Sequence, residues 1–242
     1  MCSSDLPTSY TSLPDGSHTF SVRAKDQAGN TDATPASYTW TIDATAPITT
    51  ASPAGGSYNS NQQVTLTANE PATIYYTKDG TNPTTSSSQF TGTTIKINSS
   101  TTLKFFAKDT AGNSESVKTE VYTIDKTAPT PTITSTQSSP TNASPINFQV
   151  TFGEDVTGFT ASDITLGGTA TTGGVASFTT VSANSYTFTV APTADGTILV
   201  NIAANTLTDL AGNSNNAATQ YSITSVRTAP TVTSVSSTTA NG

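Results

Sequence analysis

Apolar residues recur at every second position along much of this chain, with Thr, Ser, Asn or Lys between them. The sets are Val64, Leu66, Ala68; Ile74, Tyr76; Ile95, Ile97; Leu103, Phe105, Ala107; Phe148, Val150, Phe152; Tyr186, Phe188, Val190; and Ile198, Val200, Ile202. A period of two sends alternate side chains to one face, so each set predicts a half-buried β-strand. Helical spacing is nearly absent. Clusters such as DGTNPT and TTGG break the runs and predict turns. Some seven short strands per ~80–100 residues is the pattern of a β-sandwich.

Three longer stretches repeat one order of features: an alternating strand, Asp-x-Ala-Gly-Asn, a second strand, then Thr-Ala-Pro. They are HTFSVRAKDQAGN…SYTWTIDATAP (18–47), TTLKFFAKDTAGN…EVYTIDKTAP (101–129) and ILVNIAANTLTDLAGN…QYSITSVRTAP (198–230). Internal repetition means an array of similar modules. Proline fixes its own φ and keeps the preceding residue extended, so each Thr-Ala-Pro reads as a short stiff joint. Complete modules are therefore expected at 48–129 and 130–230. Residues 7–47 read as the last strands of a truncated module, too few to close a sandwich alone. Residues 231–242 read as the first strand of another. Residues 1–6, MCSSDL, back-translate to the end of a common sequencing adapter and are expected to be an assembly scar, which removes Cys2 from any redox argument.

The repeated Asp-x-Ala-Gly-Asn fits a hairpin turn. Asp109 would start it, Thr110 and Ala111 would take its central positions, and Gly112 the left-handed position before Asn113. In the third copy ANTLTD intervenes, so a longer hairpin is expected there.

Composition narrows the function. The chain carries nine Lys and Arg against sixteen Asp and Glu, a formal net charge of −7. No basic face exists for nucleic acid or for an anionic membrane surface. With one cysteine no intrachain disulfide forms. The single histidine, His18, is placed just before a strand and reads as an exposed loop residue with no partner set for nucleophilic catalysis. No zinc spacing and no phosphate loop is present. The expectation is a protein that is not an enzyme. The strands, the turns and the absence of the Cys-Trp-Cys pattern of antibody domains give the fold class: all-β, tandem immunoglobulin-like (fibronectin III-like) β-sandwiches without disulfides.

Residues 72–113, ATIYYTKDGTNPTTSSSQFTGTTIKINSSTTLKFFAKDTAGN, resemble the C-terminal domain family of chitobiase and β-hexosaminidase. Residues 139–168, SPTNASPINFQVTFGEDVTGFTASDITLGG, with the later TDLAGN, resemble the bacterial Ig-like repeats of surface adhesins. The resemblance implies non-catalytic, extracellular or cell-surface modules whose partners are neighbouring Ig-like modules of the same chain. It suggests a spacer or stalk in a large bacterial surface protein such as an adhesin. The alternative is a set of accessory modules of an extracellular carbohydrate-active enzyme that touch polysaccharide. Tyr75 alternates with Ile74 and Tyr76 and is expected to point outward, where it either stacks on a sugar or packs across strands.

In an Ig-like sandwich the loop between the last two strands and the loop between the second and third share one pole with the incoming linker. That would gather Asp43, Glu70, Asp109 and Asn113 at one joint, and Asp125, Glu154, Asp155, Asp209 and Asn213 at the next. Two readings follow. Each Asp caps its turn and each Glu faces water; or the oxygens also bind Ca²⁺, which takes six to eight hard oxygen ligands. The resemblance to surface adhesins fits the second. At the third joint Val226 stands where the linker Asp would be, and Lys126 neighbours Asp125 as a competing cation.

Overall fold

The computed structural model describes residues 11–236, which excludes the expected scar and Cys2. Two compact units divide the chain: one runs to residue 123 without 57–60, and the other comprises 57–60 and the residues from 124 onward. The break falls ahead of the expected 129/130 boundary. Asp125 goes with the second unit because the Asn213 side chain donates to its carbonyl at 2.9 Å.

The first unit begins with an antiparallel ribbon of β1 (Gly16–Val22) and β2 (Ala36–Ile42). Its register pairs His18 with Trp40 and Phe20 with Tyr38, so one face is aromatic. The other face is Ser17, Thr19, Ser21, Ser37, Thr39 and Thr41. His18 lies inside β1 and not ahead of it: its ring sits 5.8 Å from Trp40 and its Nε2 donates to the Pro14 carbonyl at 2.8 Å.

The same unit continues with β3 (Thr49–Ser52), the start of the short β4 (Gly56–Tyr58), β5 (Gln62–Ala68), β6 (Ala72–Thr77), β7 (Ser88–Gln89), β8 (Ile95–Ile97), β9 (Thr101–Asp109) and all but the last residue of β10 (Lys118–Ile124). One sheet runs β3-β5-β8; in the other β10, β9, β6 and β7 are neighbours in that order. Val64, Leu66, Ile95 and Ile97 of the first sheet are buried, as are Ile74, Leu103, Phe105, Ala107 and Tyr122 of the second. These are the inward positions of the predicted alternation, and burying them is what holds two pleated layers together. Tyr122 ends in a hydroxyl that donates to the Pro53 carbonyl at 2.7 Å, so its polar tip is satisfied within the core.

The second unit is built from β11 (Thr132–Ser135), β12 (Ile146–Thr151), β13 (Val156–Thr157), β14 (Ile164–Gly168), β15 (Thr172–Ser182), β16 (Ser185–Pro192), β17 (Gly196–Ile202), β18 (Thr208–Asp209) and β19 (Tyr221–Ser225). The sheets run β11-β12-β16-β15 and β14-β17-β19, with a short β13-β18 pair at one end. Phe148 and Phe188 are directly opposite in register, with ring centroids 5.1 Å apart. Ile198, Val200, Ile202 and Ile223 close the core from the other layer. Helix among the described residues is confined to one 3₁₀ turn at Ala161–Asp163, so none is long enough to cross a membrane. Of the strand expected over 231–242, residues 231–236 carry no strand and the remainder lies outside the described residues.

Candidate functional site: two matched acid clusters

The three Asp-x-Ala-Gly-Asn copies fold into one and the same turn. The Asp amide donates to the Asn carbonyl in each: Asp26 to Asn30 at 2.9 Å, Asp109 to Asn113 at 3.0 Å and Asp209 to Asn213 at 3.1 Å. Three residues lie between, and the last is glycine at positive φ: 93° at Gly29, 106° at Gly112 and 90° at Gly212. That conformation is open to glycine at little cost. The third hairpin is therefore not longer, contrary to the sequence expectation. The extra residues form a separate turn at 203–207 that pushes Leu207 into the core before the hairpin begins.

The Asp side chain completes the turn. Asp109 Oδ1 accepts the amides of Gly112 at 2.6 Å and Asn113 at 2.8 Å, and Oδ2 accepts the Asn113 side-chain amide at 2.8 Å. Asp209 does the same with Ala211, Asn213 and the Asn213 side chain. Burial alone would raise both carboxyls, but these hydrogen bonds outweigh it and hold them below the ordinary aspartate value.

Each Asn also reaches the incoming linker. Asn113 Nδ2 donates to the Asp43 carbonyl at 2.9 Å, and Asn213 Nδ2 to the Asp125 carbonyl at 2.9 Å. Both acceptors of each amide are pure acceptors, which fixes its orientation. The atom that each Asn aims at the acids is thus a donor and does not ligate a cation. Asn113 and Asn213 thus latch the linker through Nδ2.

The latch brings the linker acid to the turn. One oxygen from each of Asp43, Glu70 and Asp109 lies within 4.8 Å of the other two, and Asp125, Glu154 and Asp209 repeat the arrangement. Oxygens on a sphere about 2.3–2.6 Å from one cation lie no more than about 5 Å apart, so three ligands of one Ca²⁺ fit this spacing. Glu70 Oε1 is buried and has no hydrogen-bond partner. Asp155 is not among the clustered acids: it is exposed, while the next residue, Val156, is buried and pairs in register with Asp209.

Glu70 is raised above the ordinary value by burial first and then by the charges of Asp43, Asp109 and Asp15. Glu154 is raised by burial, by the charges of Asp125 and Asp209, and by hydrogen bonds to both that require a proton. A raised carboxyl adds stability that is complete below its ordinary value of 4.5 and lost as pH rises through the raised value. The lowered Asp109 and Asp209 act oppositely: their contribution is complete above 3.8 and lost as pH falls through the lowered values. In chelator, the melting temperature is therefore expected to rise on acidification from neutrality toward the ordinary glutamate range and to fall at lower pH. Glu70→Gln with Glu154→Gln is expected to remove the rise and keep the fall; a monotonic fall in the parent chain would contradict the assignment.

Three structural residues escaped the sequence reading. Six positions after each turn Asp, a polar residue donates its amide back to the residue two before that Asp: Asp32 to Ala24, Glu115 to Ala107 and Asn215 to Leu207. The Glu115 carboxylate also accepts from the Ala107 amide, the Thr49 amide and the Thr49 hydroxyl, and pairs with Lys118 at 3.2 Å. The pattern was visible as AGNTD, AGNSE and AGNSN. Tyr75 is half-buried and stacks on Phe106 across the strands at 5.3 Å.

Residues 53–119 match the family model for the Chitobiase/beta-hexosaminidase C-terminal domain, and residues 125–226 match that for the Bacterial Ig-like domain. Neither model is of a catalytic domain. No curated protein matches the chain. Among solved structures it is similar to the D00-D0 domain of Intimin, with 15% identity over 74% of this chain and 100% of that one and a TM-score of 0.36. The two complete modules are thus similar in turn to the chitobiase/β-hexosaminidase C-terminal domain and to the bacterial Ig-like domain, in an all-β chain of tandem Ig-like sandwiches.

Proposed function

We propose that this chain is a non-catalytic spacer from a large bacterial secreted or cell-surface protein, an adhesin by its module types, and that each acid cluster binds one Ca²⁺. Repetition carries the reading. Two modules of different family put Asp, Glu, Asp and a latching Asn in the same places around the incoming linker. Sandwich stability alone does not ask for a trio in which burial and the charges of two neighbouring Asp raise the carboxyl of the Glu. A cation that joins the linker acid to the module's own loops turns that repulsion into attraction. Asp43, Glu70 and Asp109 would hold it in the first unit, and Asp125, Glu154 and Asp209 in the second. Backbone carbonyls and water would complete the shell. The ion's work would be mechanical: a fixed linker keeps a displayed domain at a set distance from the cell.

The test is thermal unfolding of the full chain in Ca²⁺ and in chelator. At a hundredfold excess over Kd a site adds about 2.7 kcal/mol, on the order of 10 °C for a module of this size. Equal melting temperatures in the two conditions, with folding intact, would remove the metal and leave the spacer. Glycan-array binding above background would favour the accessory-module reading instead.

A further inference from the structure

We infer that Asp15 is a positioning residue for the first acid cluster, and that Asp195 is the same device at the far end of the second unit. Asp15 is not one of the clustered acids. Its Oδ1 accepts the Ala44 amide at 2.9 Å and its Oδ2 accepts the Thr45 hydroxyl at 2.5 Å. Both partners immediately follow Asp43 and open the first Thr-Ala-Pro joint. Asp195 accepts the amides of Arg227 and, at 3.1 Å, Thr228, the two residues that open the last one. Counted back from the proline, Ala44 corresponds to Arg227 and Thr45 to Thr228.

The device has a local cause in the sequence. Each acid is the Asp of an Asp-Gly pair whose glycine begins the strand that pairs with the last strand of its module, β1 or β17. That strand runs antiparallel to the last one, so its start lies beside the last strand's end: Gly16 is opposite Ile42, and Gly196 is opposite Ser225. The Asp just ahead of the glycine is thereby placed next to the departing linker. A carboxylate there meets N–H groups that have left the sheet and would otherwise lack a partner. The hydrogen bonds onto Asp195 from Arg227 and Thr228 also hold its carboxyl below the ordinary value.

In the first unit the linker is held from two sides. Asp15 holds Ala44 and Thr45 from the ribbon, while Asn113 holds the Asp43 carbonyl and Asn69 holds the Ile48 amide from the sandwich. The Asp43 carboxylate hangs from a backbone fixed on either side, and its approach to Glu70 and Asp109 follows. Asp15 also adds a third negative charge felt by Glu70, after Asp43 and Asp109. The middle module has Asn98 at the equivalent position of its repeat.

The inference rests in part on the calcium reading, and the experiment separates the two. Amide hydrogen exchange is measured by NMR on the full chain in chelator, for the parent, Asp15→Ala, Asp15→Asn and Asp195→Ala. Charge-assisted bonds of this kind protect an amide by about tenfold or more. Asp15→Ala is expected to speed exchange at Ala44 by that factor, with Asp15→Asn between it and the parent. Asp195→Ala is expected to do the same at Arg227 and Thr228, inside a fully packed sandwich where unfolding of a two-stranded ribbon is not an issue. Unchanged rates at Ala44, or at Arg227 and Thr228, overturn the device at that place. A Ca²⁺ titration then follows Asp43 and Asp125. Asp15→Ala is expected to weaken the first midpoint several-fold and leave the second alone. Equal first midpoints in parent and variant overturn the positioning role. If the parent binds no Ca²⁺, the metal reading fails and the exchange rates alone decide for or against the clamp.

Discussion

Phe148→Ala is expected to lower the stability of the second unit by about 3–5 kcal/mol, a large part of the ~5–15 kcal/mol that a domain commands. Phe148 is 2% exposed, stacks on Phe188 at 5.1 Å and takes the edge of Tyr221 at 5.9 Å. Its neighbours are strand side chains fixed by two hydrogen-bonded layers, so the hole does not collapse, and both transfer and cavity costs apply. The unit's melting transition should move down by roughly 15 °C. The Leu103, Phe105 and Tyr122 core of the first unit contains no residue of this cluster and should keep its transition. Val181→Ala on the exposed side of β15 is the control, expected within about 0.5 kcal/mol of the parent. Calorimetry of the three chains decides; a loss below 1 kcal/mol at Phe148 would mean that the ring is not packed as described.

The strands were legible for the same reason that this substitution is costly. A sandwich module needs large side chains at every second position, and Phe148, Val150, Tyr186, Phe188 and Val190 show that period in the bare sequence. The turn was legible because its requirements are local: an acceptor at Asp109 and a left-handed backbone at Gly112 within five residues. Legibility failed where the partner is distant. Asn113 reaches Asp43 across 70 residues, and Asn213 reaches Asp125 across 88, so nothing nearby marks them as latches. Asp155 looked equivalent to Glu154 because composition does not say which of two neighbours faces the turn; the pairing of Val156 with Asp209 does.

The same turn therefore has two layers of chemistry. Asp109 and Asp209 are committed first to the hairpin, through backbone amides and a latching Asn, and are charged at any ordinary pH because of it. Glu70 and Glu154 are committed to nothing in the backbone, and their raised pKa values record burial first and then the charge already present. The Asp makes the architecture, and the Glu makes the cluster sensitive to pH. A sequence reading that treats all acids of the joint as equivalent misses this division.

Asn215→Ala is expected to be the most damaging polar substitution in the second unit, at about 2–4 kcal/mol. Asn215 is 2% exposed. Its Oδ1 accepts the amides of Thr206 at 2.8 Å and Leu207 at 3.1 Å, and its Nδ2 donates to the carbonyls of Ala203 at 2.8 Å and Asn216 at 2.7 Å. The extra turn at 203–207 leaves the sheet, so those backbone groups have no ladder partner, and one amide side chain with two donors and an acceptor satisfies them together. Alanine leaves them without that shared partner, with the Leu207 amide on a buried residue. Asn215→Asp keeps the acceptor and loses both donors, which leaves the Ala203 and Asn216 carbonyls facing a buried charge, so it should be no better than alanine. The backbone bond from the Asn215 amide to the Leu207 carbonyl at 3.1 Å survives either change, so the Asp209 turn should persist in the folded fraction. Chemical denaturation gives the size of the effect, and amide exchange its place: Thr206 and Leu207 should lose protection before Asn213 does. Uniform loss across the unit would instead assign Asn215 to the global core, and no loss would show that the 203–207 turn finds other partners.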